Sequence, residues 1–170
     1  MEMGKIKDLL KIRGIANYQF RDDVGTLLFP DQVAIVKSRG TGRIRRVLLG
    51  KELLATLRPT DGFFSLSIDG AKRLADIPSQ FRPRVIVSDL VEEFVRSGRS
   101  VFAKHVLDAS REIRPYDEVI VMNSKEEVLA CGRALLNGEE MLQFSHGVAV
   151  RVRTGNKKID AENSKLDVPD

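Results

Sequence analysis

The sequence predicts an α+β fold in two parts: a small helix-and-sheet unit, then a barrel or sandwich of short strands. Two observations carry this. Between Lys5 and Phe20, apolar residues recur at spacings of three and four, the period of a helix. From Val33 onward the rhythm shortens to brief apolar runs separated by Gly, Asp, Asn and Pro, the punctuation of strands and turns.

The elements follow in order. Ile6, Leu9, Leu10, Ile12, Ile15, Ala16 and Phe20 form the expected apolar stripe of a first helix, with Gly14 as a possible bend. Asp22 is placed to cap a short turn through Leu28, which Phe29-Pro30-Asp31 ends. Strands are expected at Val33–Val36, Ile44–Leu49, Leu53–Leu57 and Phe63–Ile68, with turns at 39–42, 50–51 and 60–62. Asp69 reads as the cap of a helix from Gly70 to Asp76. Residues 78–83, Pro at both ends, have linker composition.

Beyond the linker, Val85–Val87 reads as a strand and Asp89–Arg96 as a helix capped by Ser88 or Asp89 and ended by Ser97-Gly98. Val101–Val106 is expected as one strand, Asp108–Pro115 as a polar turn, and Val119–Met122 and Glu127–Leu136 as strands. Asn137-Gly138 reads as a hairpin-like turn before a weak helix at 139–144, and Val148–Val152 as the closing strand. The expected division is 1–81, 82–155 and a disordered polar tail at 156–170.

Composition bounds the function. The single cysteine, Cys131, excludes an internal disulfide, and the two histidines are far apart in sequence, so neither a metal nor another cofactor is expected. No apolar run approaches the roughly 20 residues of a membrane span, and the first residues lack a signal-peptide core. A cytoplasmic protein is expected. The net charge of +4 is unevenly spread. Residues 1–81 hold 14 basic and 9 acidic residues, whereas 82–155 hold 11 of each. Lys37, Arg39, Arg43, Arg45, Arg46 and Lys51 follow one another with no acid between them, which suits a polyanion as well as a solvated hairpin.

The order Val85-Ile86-Val87, Arg96-Ser97-Gly98, Val101-Phe102-Ala103-Lys104-His105-Val106, together with Pro115-Tyr116-Asp117-Glu118-Val119 and Ala130-Cys131-Gly132-Arg133-Ala134, resembles the PUA domain, a pseudobarrel RNA-binding module. Lys104-His105 stands where that family usually has Pro-Gly. In the first part, Tyr18-Gln19-Phe20, Leu28-Phe29-Pro30, the run from Leu54 to Phe64, and Gly70-Ala71-Lys72-Arg73-Leu74 resemble the module before the PUA domain in archaeal tRNA-guanine transglycosylases and archaeosine synthases. The fold class implied is a small α+β domain followed by a PUA-type β pseudobarrel. The catalytic barrel of those enzymes, with paired Asp residues and zinc, has no counterpart in these 170 residues.

The resemblance implies a non-catalytic RNA-binding protein that holds the tRNA acceptor stem and 3′ end, working with a separate transglycosylase or synthase subunit in archaeosine formation. Arg99, Lys104 and His105 are the expected phosphate and sugar contacts, and Phe102 either stacks on a base or belongs to the core. Arg133 belongs to the small-Gly-basic pattern, and Arg151 and Arg153 alternate on one face of the last strand. Arg43, Arg45 and Arg46 add the basic hairpin. Cys131 reads as a small buried hydrophobe and His146 as a turn residue. Nucleotide loops, nucleophile elbows and metal spacings are absent, so independent catalysis is not expected. The rival readings are an rRNA-binding or ribosome-assembly factor and a protein-interaction adaptor.

Overall fold

In the computed structural model, residues 2–21, 23–78 and 83–157 are described. The Asp22 cap, most of the Pro78–Pro83 linker and most of the tail lie outside those residues. Helix α1 (Glu2–Phe20) is followed by α2 (Val24–Leu28), the strands β1 (Ala34–Lys37), β2 (Ile44–Leu49), β3 (Glu52–Leu57) and β4 (Phe64–Leu66), and helix α3 (Ile68–Asp76). The strands form an antiparallel meander in the order β1-β2-β3-β4.

Ile12, Ala16 and Phe20 bury one side of α1, but Ile6 and Leu10 of the expected stripe are exposed. Phe29 and Phe64 pack as a tilted ring pair, centroids 5.0 Å apart, at the centre of this core. Gln19 extends the sheet with a side chain. Its amide accepts from Phe64 N at 2.7 Å and donates to Phe64 O at 2.9 Å. The cap of α3 is Ser67, two residues earlier than expected, its hydroxyl accepting from Gly70 N at 3.0 Å. A serine oxygen reaches that amide where the longer Asp69 is already inside the helix.

The second part runs β5 (Arg84–Val87), a 3₁₀ turn (Asp89–Val91), α4 (Glu92–Arg96), β6 (Val101–Phe102), β7 (Val106–Ala109), β8 (Glu118–Met122), β9 (Val128–Ala134), α5 (Gly138–Gln143) and β10 (Val148–Gly155). The six strands are ordered β6-β10-β9-β8-β5-β7, with β5 and β8 parallel and the other pairs antiparallel. This is a nearly closed β pseudobarrel around Val85, Val87, Val119, Val121, Leu129 and their neighbours. Gly132 lets β10 close on β9, because a Cβ there would meet Arg151 O at 2.2 Å.

Two sequence expectations are corrected in the barrel. The single strand Val101–Val106 is broken by a 3₁₀ turn at Ala103–His105. Asn137-Gly138 is not a hairpin turn. Asn137 caps α5 in a full capping box with Glu140, accepting from Glu140 N while the Glu140 carboxylate accepts from Asn137 N, both at 2.9 Å. Arg96, in the last turn of α4, is buried. It pairs with Glu92 at 2.8 Å and Glu127 at 3.2 Å and donates to Asn156 O, tying α4 to the start of β9 and the chain beyond β10.

The barrel's outer face continues the first core. Ile120, Met122, Val128 and Cys131 pack in the same apolar cluster as the helix-and-sheet residues. At its edge, the Glu118 side chain has no solvent exposure. Its carboxylate accepts from Leu66 N at 2.9 Å and from Arg153 through both terminal nitrogens, with Arg58 3.7 Å away. Burial pushes the Glu118 carboxyl up from its ordinary range, while Arg153 pulls it back. Cys131 Sγ donates to Leu66 O at 3.2 Å, and burial pushes its thiol up to about 12.

Replacing Glu118 by Ala is expected to cost about 3–5 kcal/mol in denaturant unfolding, since it strands the partly buried Arg153 and the Leu66 amide. A loss below about 1 kcal/mol would show the network to be dispensable. Cys131 is expected to resist an aromatic disulfide reagent in the native protein and to react at once in guanidinium, because the neutral, buried thiol is not a nucleophile. Reaction at a free-thiol rate without denaturant would contradict its burial.

Candidate nucleic-acid interface

A lip of exposed residues follows α4. Gly98, at φ 96°, reverses the chain after the helix, a conformation that a glycine adopts without strain. The reversal sends Arg99 back across the Phe94 ring, guanidinium carbon 5.5 Å from the centroid. Next, Val101 points into the barrel and Phe102 out, 48% exposed, which settles the alternation of that strand against a core role for Phe102. The 3₁₀ turn then presents Lys104 at its tip. Two backbone bonds fix the turn: Ala103 N donates to Gly147 O, and Ser88 N donates to His105 O, both at 2.9 Å. His105 is half-buried. Phe102 and Lys104 therefore protrude from a backbone anchored at both ends, with Arg99 exposed three residues before Phe102 in the chain.

The three barrel arginines separate by environment. Arg133 stands between Glu118 on β8 and Arg151 on β10 as their direct cross-strand partner. It is half-buried and 3.9 Å from Asp61, while Arg151 is exposed. Arg153 occupies the irregularity between the Val152–Gly132 and Thr154–Cys131 pairs. From there its guanidinium reaches Glu118 and donates to Leu66 O at 2.7 Å, so its hydrogen bonds are made inside the protein.

On the first sheet, Arg45 fills a bulge opposite the Val36–Lys37 step, so Arg45 and Arg46 both lie off the core while Ile44 and Val47 are buried. Arg43 is exposed at the turn. The strand order puts β4 next to the barrel and β1-β2 at the other edge, so the structure does not join Arg43, Arg45 and Arg46 to the lip.

A further concavity of about 500 Å³ lies between the two parts. Tyr18 from the end of α1 stacks on Phe63, centroids 5.9 Å apart and planes 3° from parallel. Tyr116 faces the cleft from the turn before β8. Arg58 forms the floor, donating to both oxygens of Asp61 at 3.0 Å and to Ser65 Oγ at 3.2 Å. Partial burial works against ionisation of Asp61, but Arg58, the Phe63 amide and Arg133 outweigh it and hold the carboxyl below its ordinary value. The sequence alone does not single out this cleft. Its two walls are about a hundred residues apart, and the available signs were Tyr18 off the buried stripe of α1 and an aromatic in the Arg114–Asp117 turn. Among the described residues, no cluster of His, Cys, Asp and Glu could hold a metal ion, and no helix is long and apolar enough to cross a membrane.

Comparison with known proteins matches both parts. Residues 10–80 match the patch-forming domain C2 of tRNA-guanine transglycosylase, and residues 83–155 match the PUA domain. The tRNA-guanine(15) transglycosylase of Methanothermobacter thermautotrophicus is 45% identical over 153 residues, covering 88% of this chain and 23% of that protein. That of Pyrococcus abyssi is 46% identical over 144 residues, covering 85% and 24%. The chain thus spans about a quarter of the length of these relatives. Among solved structures, a hypothetical protein of Pyrococcus horikoshii aligns with a TM-score of 0.72 at 21% identity, covering 92% of this chain and 94% of that one. A PUA domain protein of Thermoplasma acidophilum aligns at 0.63 and 17%, covering 91% and 92%. These two show the shared fold. With both parts matched in order, the chain is a PUA-domain protein that resembles the C-terminal, C2-plus-PUA part of archaeal tRNA-guanine transglycosylases.

Proposed function

We propose that this chain is a non-catalytic RNA-binding protein that holds tRNA by its acceptor stem and 3′ end, as an accessory unit of archaeosine formation. The observation that carries the reading is the lip. Arg99, Phe102 and Lys104 are exposed on a segment whose backbone is held in place, so two cations and one ring meet a ligand at little ordering cost. The likeness to transglycosylases that act on tRNA supports tRNA over other RNAs. Two cations and a ring suit phosphates, 2′-hydroxyls and an unpaired end more than base edges in a duplex. Arg151 extends the basic surface on β10. His105 is a weaker contact because it is half-buried, while Arg133 lies near Asp61 and Arg153 is bonded to Glu118 and Leu66.

Catalysis on this reading belongs to a separate transglycosylase or synthase subunit. Met3, Ile6 and Leu10, exposed along α1 at helical spacing, support a protein contact there. Arg43, Arg45 and Arg46 form a second basic surface at the far sheet edge, able to touch a distant part of a molecule as large as tRNA.

The test is filter binding of tRNA, tRNA lacking its CCA end, and rRNA fragments across a salt series. The Arg99→Glu/Lys104→Glu variant is expected to weaken tRNA binding and to lower the salt slope by about 2, one unit for each phosphate no longer neutralised. Removing CCA is expected to weaken binding to the parent protein. Unchanged tRNA affinity of the double variant at low salt would remove the lip from the interface, and a preference for rRNA fragments would favour the ribosomal reading.

A further inference from the structure

We infer that the cleft between the two parts holds one unstacked nucleotide of single-stranded RNA, its base on the exposed aromatic rings and its phosphate against Arg114. The inference rests on the RNA-binding reading but assigns a second site, distinct from the lip.

The rings come first. Tyr18 is 79% exposed although it sits at the end of a well-packed helix, and Tyr116 is 69% exposed. Phe63 backs Tyr18 as a parallel stack, which fixes one ring face towards the opening. A rigid, exposed ring face is a platform for a base, and a base in a duplex cannot reach it. The volume of about 500 Å³ lies in the range of small-ligand sites.

Backbone conformation is the second observation. Arg21 and Tyr116 both line the cleft, and both have positive φ, 60° and 75°. A bulky residue rarely adopts that region unless its surroundings impose it. Tyr116 is held there by its amide, which donates to Ala134 O at 2.7 Å, and by the Asp117 carboxylate, which accepts from Arg114 N at 2.9 Å. The fold thus fixes an aromatic side chain at the rim instead of burying it.

Charge is the third. Arg114 is exposed, and its guanidinium has no partner among the described residues. It joins the cleft to an adjoining concavity that Arg21 and Arg111 also line. The acids of the cleft are already engaged: Asp61 by Arg58, Asp117 by the Arg114 amide, and Glu118 by Arg153. Glu112 and Glu139 lie in the adjoining concavity. An aromatic platform with an unengaged guanidinium beside it matches a nucleotide, base first and phosphate second.

The chain itself supplies the probe. It has two tyrosines and no tryptophan, and both tyrosines line this cleft, so intrinsic tyrosine fluorescence reports on it alone. A short single-stranded oligoadenylate is expected to quench tyrosine emission on binding to the full chain. Tyr18→Ala and Tyr116→Ala should each weaken that binding roughly tenfold, the size of one base–aromatic stack, while Tyr18→Phe and Tyr116→Phe retain it. Arg114→Gln should weaken it as well. Both tyrosines are exposed, and unchanged thermal unfolding of the variants checks that the fold is intact. Wild-type affinity in both alanine variants, or oligoadenylate binding without quenching, would overturn the assignment. Binding of tRNA without any binding of oligoadenylate would overturn it and leave the proposed function standing. Binding of neither would overturn both.

Discussion

Glu118, the first residue of β8, reaches β4 with no exposed side-chain surface, and the joint between the two parts is arranged to keep that carboxylate satisfied. Leu66 N, both terminal nitrogens of Arg153, and Arg58 nearby surround it. A buried carboxylate lacking such partners costs several kcal/mol, so any displacement of one part against the other would break several charge-assisted bonds together. The apolar cluster around it acts in the same direction. Ile120, Met122, Val128 and Cys131 of the barrel lie in one core with Phe64 and Leu66 of the first sheet. A family boundary falls between residues 80 and 83, but the packing does not stop there.

That joint is what makes the cleft a site of fixed shape. Tyr18 and Phe63 come from the first part, and Arg114 and Tyr116 from the second, so their separation is set by the Glu118 network and the shared core. The lip depends on a different constraint. Its position follows from Gly98, the Ala103–Gly147 bond and the Ser88–His105 bond, all inside the barrel. The two surfaces thus rest on separate constraints, the cleft on the joint between the parts and the lip on bonds within the barrel.

Positive charge on this chain is more abundant in the sequence than on the surface available to a partner. Arg13 caps Phe29 O and pairs with Asp31, Arg73 closes the end of α2 through Leu27 O and Leu28 O, Arg96 ties α4 to the start of β9, and Arg58 and Arg153 frame Glu118. Guanidinium groups are suited to such positions because they donate several bonds in a fixed fork and stay charged. Arg43, Arg46, Arg99, Lys104, Arg114 and Arg151 remain exposed, on turns and on the outer faces of strands.

By itself the sequence determined the order of elements, the two-part α+β class and the closing of the barrel, because these rest on local periodicity and turn chemistry. Apolar spacing located α1, short apolar runs located β8 to β10, and Gly98 ended α4 as its type requires. It also singled out Arg99, Phe102 and Lys104, which stand close together along the chain. Its errors were local competitions that neighbours decide. Ser67 took the cap from Asp69, Asn137 entered a capping box instead of a hairpin, and a 3₁₀ turn replaced half a strand at Ala103–His105. Only the tertiary structure could separate a free arginine from an engaged one, since Arg151 and Arg153 share an alternation but Arg153 has a buried carboxylate across the sheet. The cleft likewise exists only in three dimensions: Tyr18 and Tyr116 line one concavity because long-range packing, which has no period in the chain, brings their two parts together.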